Sequence, residues 1–312
     1  MEKGLFSILL SFVVMVASIF GSFNTAFAAD TIEILLDGKK IFLDDSKPFQ
    51  DTQGSVMVPI RFVSQALGAS IGYDKENGIT SVVVKDEKNF VEMKVGQTEA
   101  LVNGKAKNYG TKIVLKNNRT YVPLRLVGEG LGKKVEWDKV SRWVWIGDKQ
   151  LHTLDELGAK KESIEQYMQW FKKKDFLLKN RSGENYKNVM IFKQSMLPTS
   201  LLRETLSIEP YADPQIKVTY LKIRAKTTST AGPIFYLTAK KDIRYRYPVE
   251  QMTIKNDDGT KYSFYKVWSR SDNTLDGIED KEKLSLNDIE YIGFKGASED
   301  YIPLMINPWK GK

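Results

Sequence analysis

The 312-residue chain is 42% hydrophobic and 28% charged, with 22 Gly and 10 Pro, an ordinary globular composition that excludes wholesale disorder, collagen-like repeats and a multi-span membrane protein. It has no Cys and a single His, His152, which removes disulfides, thiolate metal sites, thiol nucleophiles and histidine-rich metal cages. Lys and Arg number 47 against 39 Asp and Glu, and the net charge of +8 favours anionic partners. The length suggests two domains, each able to bury its own core.

The N-terminal residues read as an address. Met1-Glu2-Lys3 is followed by an apolar run from Leu5 to Phe20 and then by Ala26-Phe27-Ala28. A charged start, an apolar stretch and a small-x-small site form a secretory signal pattern, with cleavage expected between Ala28 and Ala29. The other reading is an uncleaved anchor, although the run is short for a membrane span of about 20 residues. Without Cys there is no lipidation box. The expectation is a secreted protein with no membrane span once residues 1–28 are removed, associated with the envelope of a Gram-positive-type bacterium. Leu197-Pro198-Thr199-Ser200 lies mid-chain with no apolar tail behind it and reads as a loop, not a sorting signal.

Residues 30–148 contain an internal repeat. Val58, Pro59, Arg61, Val63, Leu67, Gly68 and Asp74 return 64 positions later as Val122, Pro123, Arg125, Val127, Leu131, Gly132 and Asp138. Ile71 and Tyr73 are matched by Val135 and Trp137. Pro59 and Pro123 suit a strand-to-helix switch, because proline cannot donate to a sheet ladder and its φ fits the first helical turn. Ile60, Val63 and Leu67 then fall at helical spacing, as do Leu124, Val127 and Leu131. Gly68 and Gly132 follow the last apolar residue, where a left-handed cap favours glycine. Each unit is expected to be a β-hairpin, one short helix and another hairpin. Arg61 and Arg125 are expected to be structural, pairing with Asp74 and Asp138 or stacking on Tyr73 and Trp137; anion contact is the alternative. Trp143 and Trp145 align with Val82 and Val84 and are expected to fill the core; a binding platform is the alternative.

The Val-Pro-Ile-Arg-Phe-Val and Val-Pro-Leu-Arg-Leu-Val motifs, each followed by Leu-Gly and an aromatic-Asp pair, resemble the copper amine oxidase N-terminal, or stalk, domain family. The resemblance implies a small α+β module and no catalysis. Oxidase activity itself is excluded by composition: such a site needs three copper-binding histidines, and only His152 is present. Neither Asn108-Tyr109-Gly110 nor Asn185-Tyr186-Lys187 fits the setting of the quinone-forming tyrosine.

Residues 149–183 read as a linker with an amphipathic helix. Thr153-Leu-Asp-Glu156 is a capping-box pattern. Ile164, Tyr167, Met168 and Phe171 form a helical stripe ending in Lys172-Lys173-Lys174, expected to dock on a neighbouring sheet. A membrane-surface helix is the other possibility. His152 has no partner at ligand or triad spacing.

Residues 184–312 are strand-rich: 189–192, 216–223, 234–237, 252–254, 262–268 and 289–294, separated by turn chemistry at 231–233, 256–259 and 272–273. The expected fold is α+β overall: a small repeat domain of antiparallel strands around short helices, a linker helix, then a mainly antiparallel β-sandwich. Residues 284–294 faintly resemble the closing strands of jelly-roll carbohydrate-binding modules. Arg244-Tyr-Arg-Tyr247 alternates, so Tyr245 and Tyr247, joined by Tyr265 and Trp268 on the next hairpin, are candidate sugar-stacking residues. The opposing reading makes the aromatic face the sandwich core and the arginines its solvated back. Asp257, Asp258, Asp272, Asp276, Glu279 and Asp280 match no calcium loop, and no metal site or cofactor is expected.

No nucleophile elbow, phosphate loop or zinc motif is present. The sequence therefore points to a non-catalytic envelope protein binding an anionic cell-wall polymer, a polysaccharide or another secreted protein. A carboxylate-dependent polysaccharide hydrolase is the alternative. Nucleic acid is disfavoured because the excess charge is spread along the chain.

Overall fold

Short strands with alternating burial, broken by Asn-Gly and Asp-Gly turns, build the N-terminal part of the molecule. The computed structural model describes residues 31–43, 47–172, 174–201, 204–226, 231–270 and 283–311. The signal segment with Ala28 and Ala29, Lys173, and Asp272, Asp276, Glu279 and Asp280 lie outside the described residues.

In chain order the first part runs β1 (Glu33–Leu36), β2 (Lys39–Ile41), β3 (Phe49–Gln50), β4 (Val56–Pro59), α1 (Ile60–Ala66), β5 (Ser70–Glu76), β6 (Ile79–Lys85), β7 (Phe90–Lys94), β8 (Glu99–Val102), β9 (Lys105–Asn108), β10 (Val114–Lys116), β11 (Arg119–Pro123), α2 (Leu124–Gly130), β12 (Val135–Asp138) and β13 (Trp143–Ile146). They form three sheets, ordered β12-β13-β1-β2, β10-β11-β4-β3 and β5-β6-β7-β8-β9. Strands β4 and β11 pair antiparallel with Val58 opposite Val122, its own repeat equivalent, so a local two-fold axis relates the copies. Strand β1 pairs parallel with β13, tying the start of the first copy to the end of the second.

Pro59 and Pro123, in extended conformation, end their strands and start the helices. Ile60, Val63, Leu124, Val127 and Leu131 are buried in one core, with Leu67 packed against it. Gly68 and Gly132 take φ of +73° and +67°, a conformation that costs other residues roughly 1 kcal/mol or more. The unit anticipated from the repeat is the unit observed.

The tryptophans differ from expectation. Trp143 and Trp145 are buried, but Val144 and Ile146 fill the repeat core. The two indoles lie on the opposite strand face, packed with Leu35, Leu206 and Leu151. The second copy's hairpin is shorter: Trp137 faces Val144, whereas Tyr73 faces Val82. The register makes Val144, not Trp143, the counterpart of Val82, and aligning the tryptophans with Val82 and Val84 is a one-residue slip, which reverses every side chain.

The second part adds β14 (Lys160–Ser163), α3 (Met168–Phe171), β15 (Asn188–Phe192), β16 (Thr205–Ala212), β17 (Thr219–Lys226), β18 (Ile234–Thr238), β19 (Ile243–Arg246), β20 (Ile254–Lys255), β21 (Thr260–Lys266), β22 (Ile289–Phe294) and β23 (Tyr301–Ile306). A six-stranded sheet, β14-β15-β23-β22-β18-β19, faces a four-stranded one, β16-β17-β21-β20. Phe192, Tyr236, Ile292 and Phe294 of the larger sheet meet Ile208, Leu221, Ile223 and Tyr265 of the smaller in the core between them. The fold is thus α+β, with sheets whose pairings are antiparallel apart from β1–β13 and β15–β23.

The long amphipathic helix is not formed. A 3-10 turn, Ile164–Tyr167, runs into the single turn α3, and a second 3-10 turn spans Asp175–Leu178. Ile164, Tyr167, Trp170 and Phe171 are all buried against the outer face of the six-stranded sheet, so the apolar surface is wider than one helical stripe. The Trp170 indole N–H donates to the Thr238 carbonyl at 2.7 Å. Met168, a stripe residue, is 42% exposed. The capping box does form, with Glu156 N–H donating to Thr153 Oγ1 at 3.2 Å and Thr153 N–H to Glu156 Oε2 at 2.8 Å, but Gly158 at φ +77° closes the turn within two residues.

Ile32–Lys312 forms one compact unit. The tryptophan cluster joins β13 to β16, and His152 Nε2 lies 2.8 Å from the Asp37 carbonyl oxygen.

Candidate functional site

The motif arginines start the site. Helix α1 carries Arg61 two residues beyond Pro59, and its guanidinium lies over the Tyr73 ring of β5, 5.3 Å from the centroid. The facing wall comes from the other copy. Lys116 pairs with Arg119 across β10–β11, leaving Asn117 and Asn118 as a two-residue turn with φ of +49° and +58°. Two consecutive left-handed residues make the hairpin turn whose twist matches the strands, and asparagine is among the few side chains that accept it.

Between α1, β5 and this hairpin opens a cleft of about 660 Å³. Its lining includes Arg61, Arg119, Phe62, Tyr73, Asn117 and Asn118, with no Asp or Glu among the described residues. Tyr73 is 43% exposed and Leu115 55%, so the walls offer apolar faces to solvent. Among the described residues no carboxylate pairs with Arg61, and the two asparagine side chains have no hydrogen-bond partner.

The matching position in the second copy is built differently. Arg125 lies 3.8 Å from Glu129, four residues along α2, and Lys107 also pairs with Glu129. Gln65 stands where Glu129 would be in the first copy. Trp137, the counterpart of Tyr73, packs against the repeat core. The expected pairing of both arginines with Asp74 and Asp138 is not formed. Arg61 takes the stacking alternative, whereas Arg125 stands beside an acid of its own helix, Glu129, in a loose ion pair. Asp74 is exposed. Asp138 accepts from the Val140 and Ser141 amides and the Ser141 hydroxyl, and faces Arg224 of β17.

The four aromatic candidates of the sandwich do not form one row. Tyr265 is 2% exposed, lies in the core between the sheets and donates to the Gly232 carbonyl at 2.8 Å. Burial pushes its phenol well above the ordinary range. Tyr247 is 70% exposed and meets the half-buried Tyr245 edge-on at 5.2 Å. Trp268 sits under Lys283, 5.3 Å from its ring centroid. The arginines are not a solvated back either: Arg244 and Arg246 are buried. Arg246 donates from Nε to the Lys266 carbonyl at 2.8 Å and from Nη2 to that of Val267 at 2.9 Å, tying β19 to the end of β21. Asp242 holds Arg244 in a forked pair at 3.1 and 3.2 Å.

The remaining ionisable candidates are engaged in structure. Asp258 accepts from Arg224 and Thr260. Burial opposes ionisation of this carboxyl, but the Thr260 hydroxyl and amide and the Arg224 charge outweigh it and hold its pKa below the usual value. Among the described residues no group of three His, Cys, Asp or Glu is placed to hold a metal ion. No helix there is long and apolar enough to cross a membrane. Sequence reading marked Arg61 but missed Asn117, Asn118 and Gln65; the available signal was the residue-by-residue difference between the copies.

Residues 35–146 match the family model described as the copper amine oxidase N-terminal domain, and the match contains both repeat copies and the whole cleft. The C-terminal half matches no family model. Comparison with curated proteins and with solved structures gives no match.

Proposed function

We propose that this chain is an exported, non-catalytic binding protein of the bacterial envelope, which holds a segment of extended polymer in the cleft beside α1. One observation carries the reading: among the described residues the cleft is lined by aromatic, arginine and asparagine residues and by no Asp or Glu. Aromatic faces stack on sugar rings, and the Asn117 and Asn118 amides supply both donors and acceptors for hydroxyl groups. Glycoside hydrolysis needs a pair of carboxyl groups about 5–9.5 Å apart, and none lines this cleft among the described residues. Export is supported by the charged, apolar and small-x-small pattern of residues 1–28. The sandwich, joined to β13 through Leu206, serves as a rigid mount for the repeat domain.

A retention assay tests this. The purified chain is expected to stay on isolated envelope material, and Tyr73→Ala or Asn118→Gly to weaken retention. Asn118→Gly keeps the left-handed turn while removing the amide, so a loss of binding reports contact and not folding. No retention of the parent chain, or release of soluble fragments from the material, would overturn the reading.

A further inference from the structure

We infer that the cleft selects polymers bearing a carboxylate or phosphate on the repeating unit, and that Arg61 is the residue that reads the anion. The inference deepens the binding reading above and rests on it. It comes from comparing the two repeat copies as an internal control. Both keep the arginine at the second helical position, but only the second copy also supplies an acid one turn later. Glu129, shared with Lys107, offsets the charge of Arg125 there, and the ring that would receive a ligand, Trp137, is half-buried against the core. In the first copy Gln65 replaces the acid, Tyr73 is open to solvent, and the facing hairpin adds two amides. Among the described residues the Arg61 guanidinium contacts the Tyr73 ring, and none of its five N–H donors is taken by an oxygen. A planar cation set on an aromatic face, with its donors unspent, suits an oxyanion of a polymer lying beside that face. The copies share a motif for folding; the divergence at Gln65 and Tyr73 is what the fold does not require.

Binding of the full chain to three probes of matched length tests this: an oligogalacturonate, a polyglycerol phosphate and a neutral glucan. At least one anionic probe is expected to bind about tenfold more tightly than the glucan at low salt, the scale of one exposed charge-assisted contact. Preference for the uronate assigns a carboxylate, and preference for the polyglycerol phosphate assigns a phosphodiester. Gln65→Glu, which gives the first copy the second copy's acid, is expected to remove that advantage, as is Arg61→Gln. Both positions are exposed, so unchanged circular dichroism separates the effect from misfolding. Glu129→Gln is expected to leave all three affinities unchanged. Equal binding of neutral and anionic probes, insensitive to Gln65→Glu, overturns the anion assignment while the binding reading stands. Failure of all three probes to bind overturns the anion assignment together with the binding reading.

Discussion

Arg224 of β17 reaches Asp138 of β12, with its Nη1 3.5 Å from the aspartate Oδ2, although the arginine side chain is 1% exposed. Its other nitrogens are held by Asp258 and, at 3.0 Å, by the Thr260 hydroxyl. One buried cation therefore joins a repeat-motif aspartate to the sandwich. Removing it leaves two carboxylates facing each other across a partly closed interface. Arg224→Met is expected to cost about 2–3 kcal/mol, less than a fully buried pair because Asp138 and Asp258 keep 19% and 34% exposure. Urea unfolding measures it; a loss below about 0.5 kcal/mol would assign the pair no structural weight.

Acid should loosen the same molecule in a defined window. Lys134 and Lys149 hold the Glu136 carboxyl down at about 2, and Asp258 is also depressed. Unfolded carboxyls titrate near about 4, so in acid the unfolded chain binds more protons than the folded one. The stabilisation is complete above about pH 5 and is lost as pH falls through 4 towards 2. The urea midpoint is expected to be flat from about pH 5 to 8 and to drop below about pH 4. Asp258→Asn should make that drop shallower; an unchanged slope would detach Asp258 from acid stability.

The repeat was readable because its residues have local reasons to be where they are. Pro59 and Pro123 switch strand to helix, and Gly68 and Gly132 require positive φ. Pairings between distant segments left no such mark. That Val58 faces Val122, and that the Asn117–Asn118 turn lines the same cleft as Arg61, follows from strand order, which no local pattern encodes. So Arg61 was visible as a motif residue while its cleft was not. Strands β16 and β23 were hidden by Pro210 and Pro303, because proline argues against a strand interior. Pairing of β23 with β22 begins only at Leu304, which leaves Pro303 just outside that ladder. The stripe at 164–171 was real as burial but not as helix, since two short turns bury the same residues.

The copies also differ at one buried helix position. Ser64 is fully buried and its hydroxyl has no hydrogen-bond partner, whereas its counterpart is Gly128, where a Cβ would come 1.7 Å from Val135. Ser64→Ala is expected to raise stability by about 0.5–1 kcal/mol, because it removes a desolvated hydroxyl and adds helix propensity. Gly128→Ala is expected to lower it by about 1–3 kcal/mol through overpacking. Thermal unfolding of both variants checks the pair, and opposite signs are the required result.

Tyr265 and Tyr247 looked alike in sequence and stand in opposite environments, which makes them a test of where ligand binds. Tyr265→Phe removes the hydrogen bond to the half-buried Gly232 carbonyl, so a loss of about 1 kcal/mol is expected. Tyr247→Ser changes an exposed edge contact and should stay within about 0.5 kcal/mol. Neither substitution touches the cleft between α1 and the Asn117–Asn118 turn, so polymer affinity should be the same in both variants as in the parent chain. A marked fall in affinity with Tyr247→Ser, at unchanged stability, would move the binding surface from the repeat domain to the outer edge of β19.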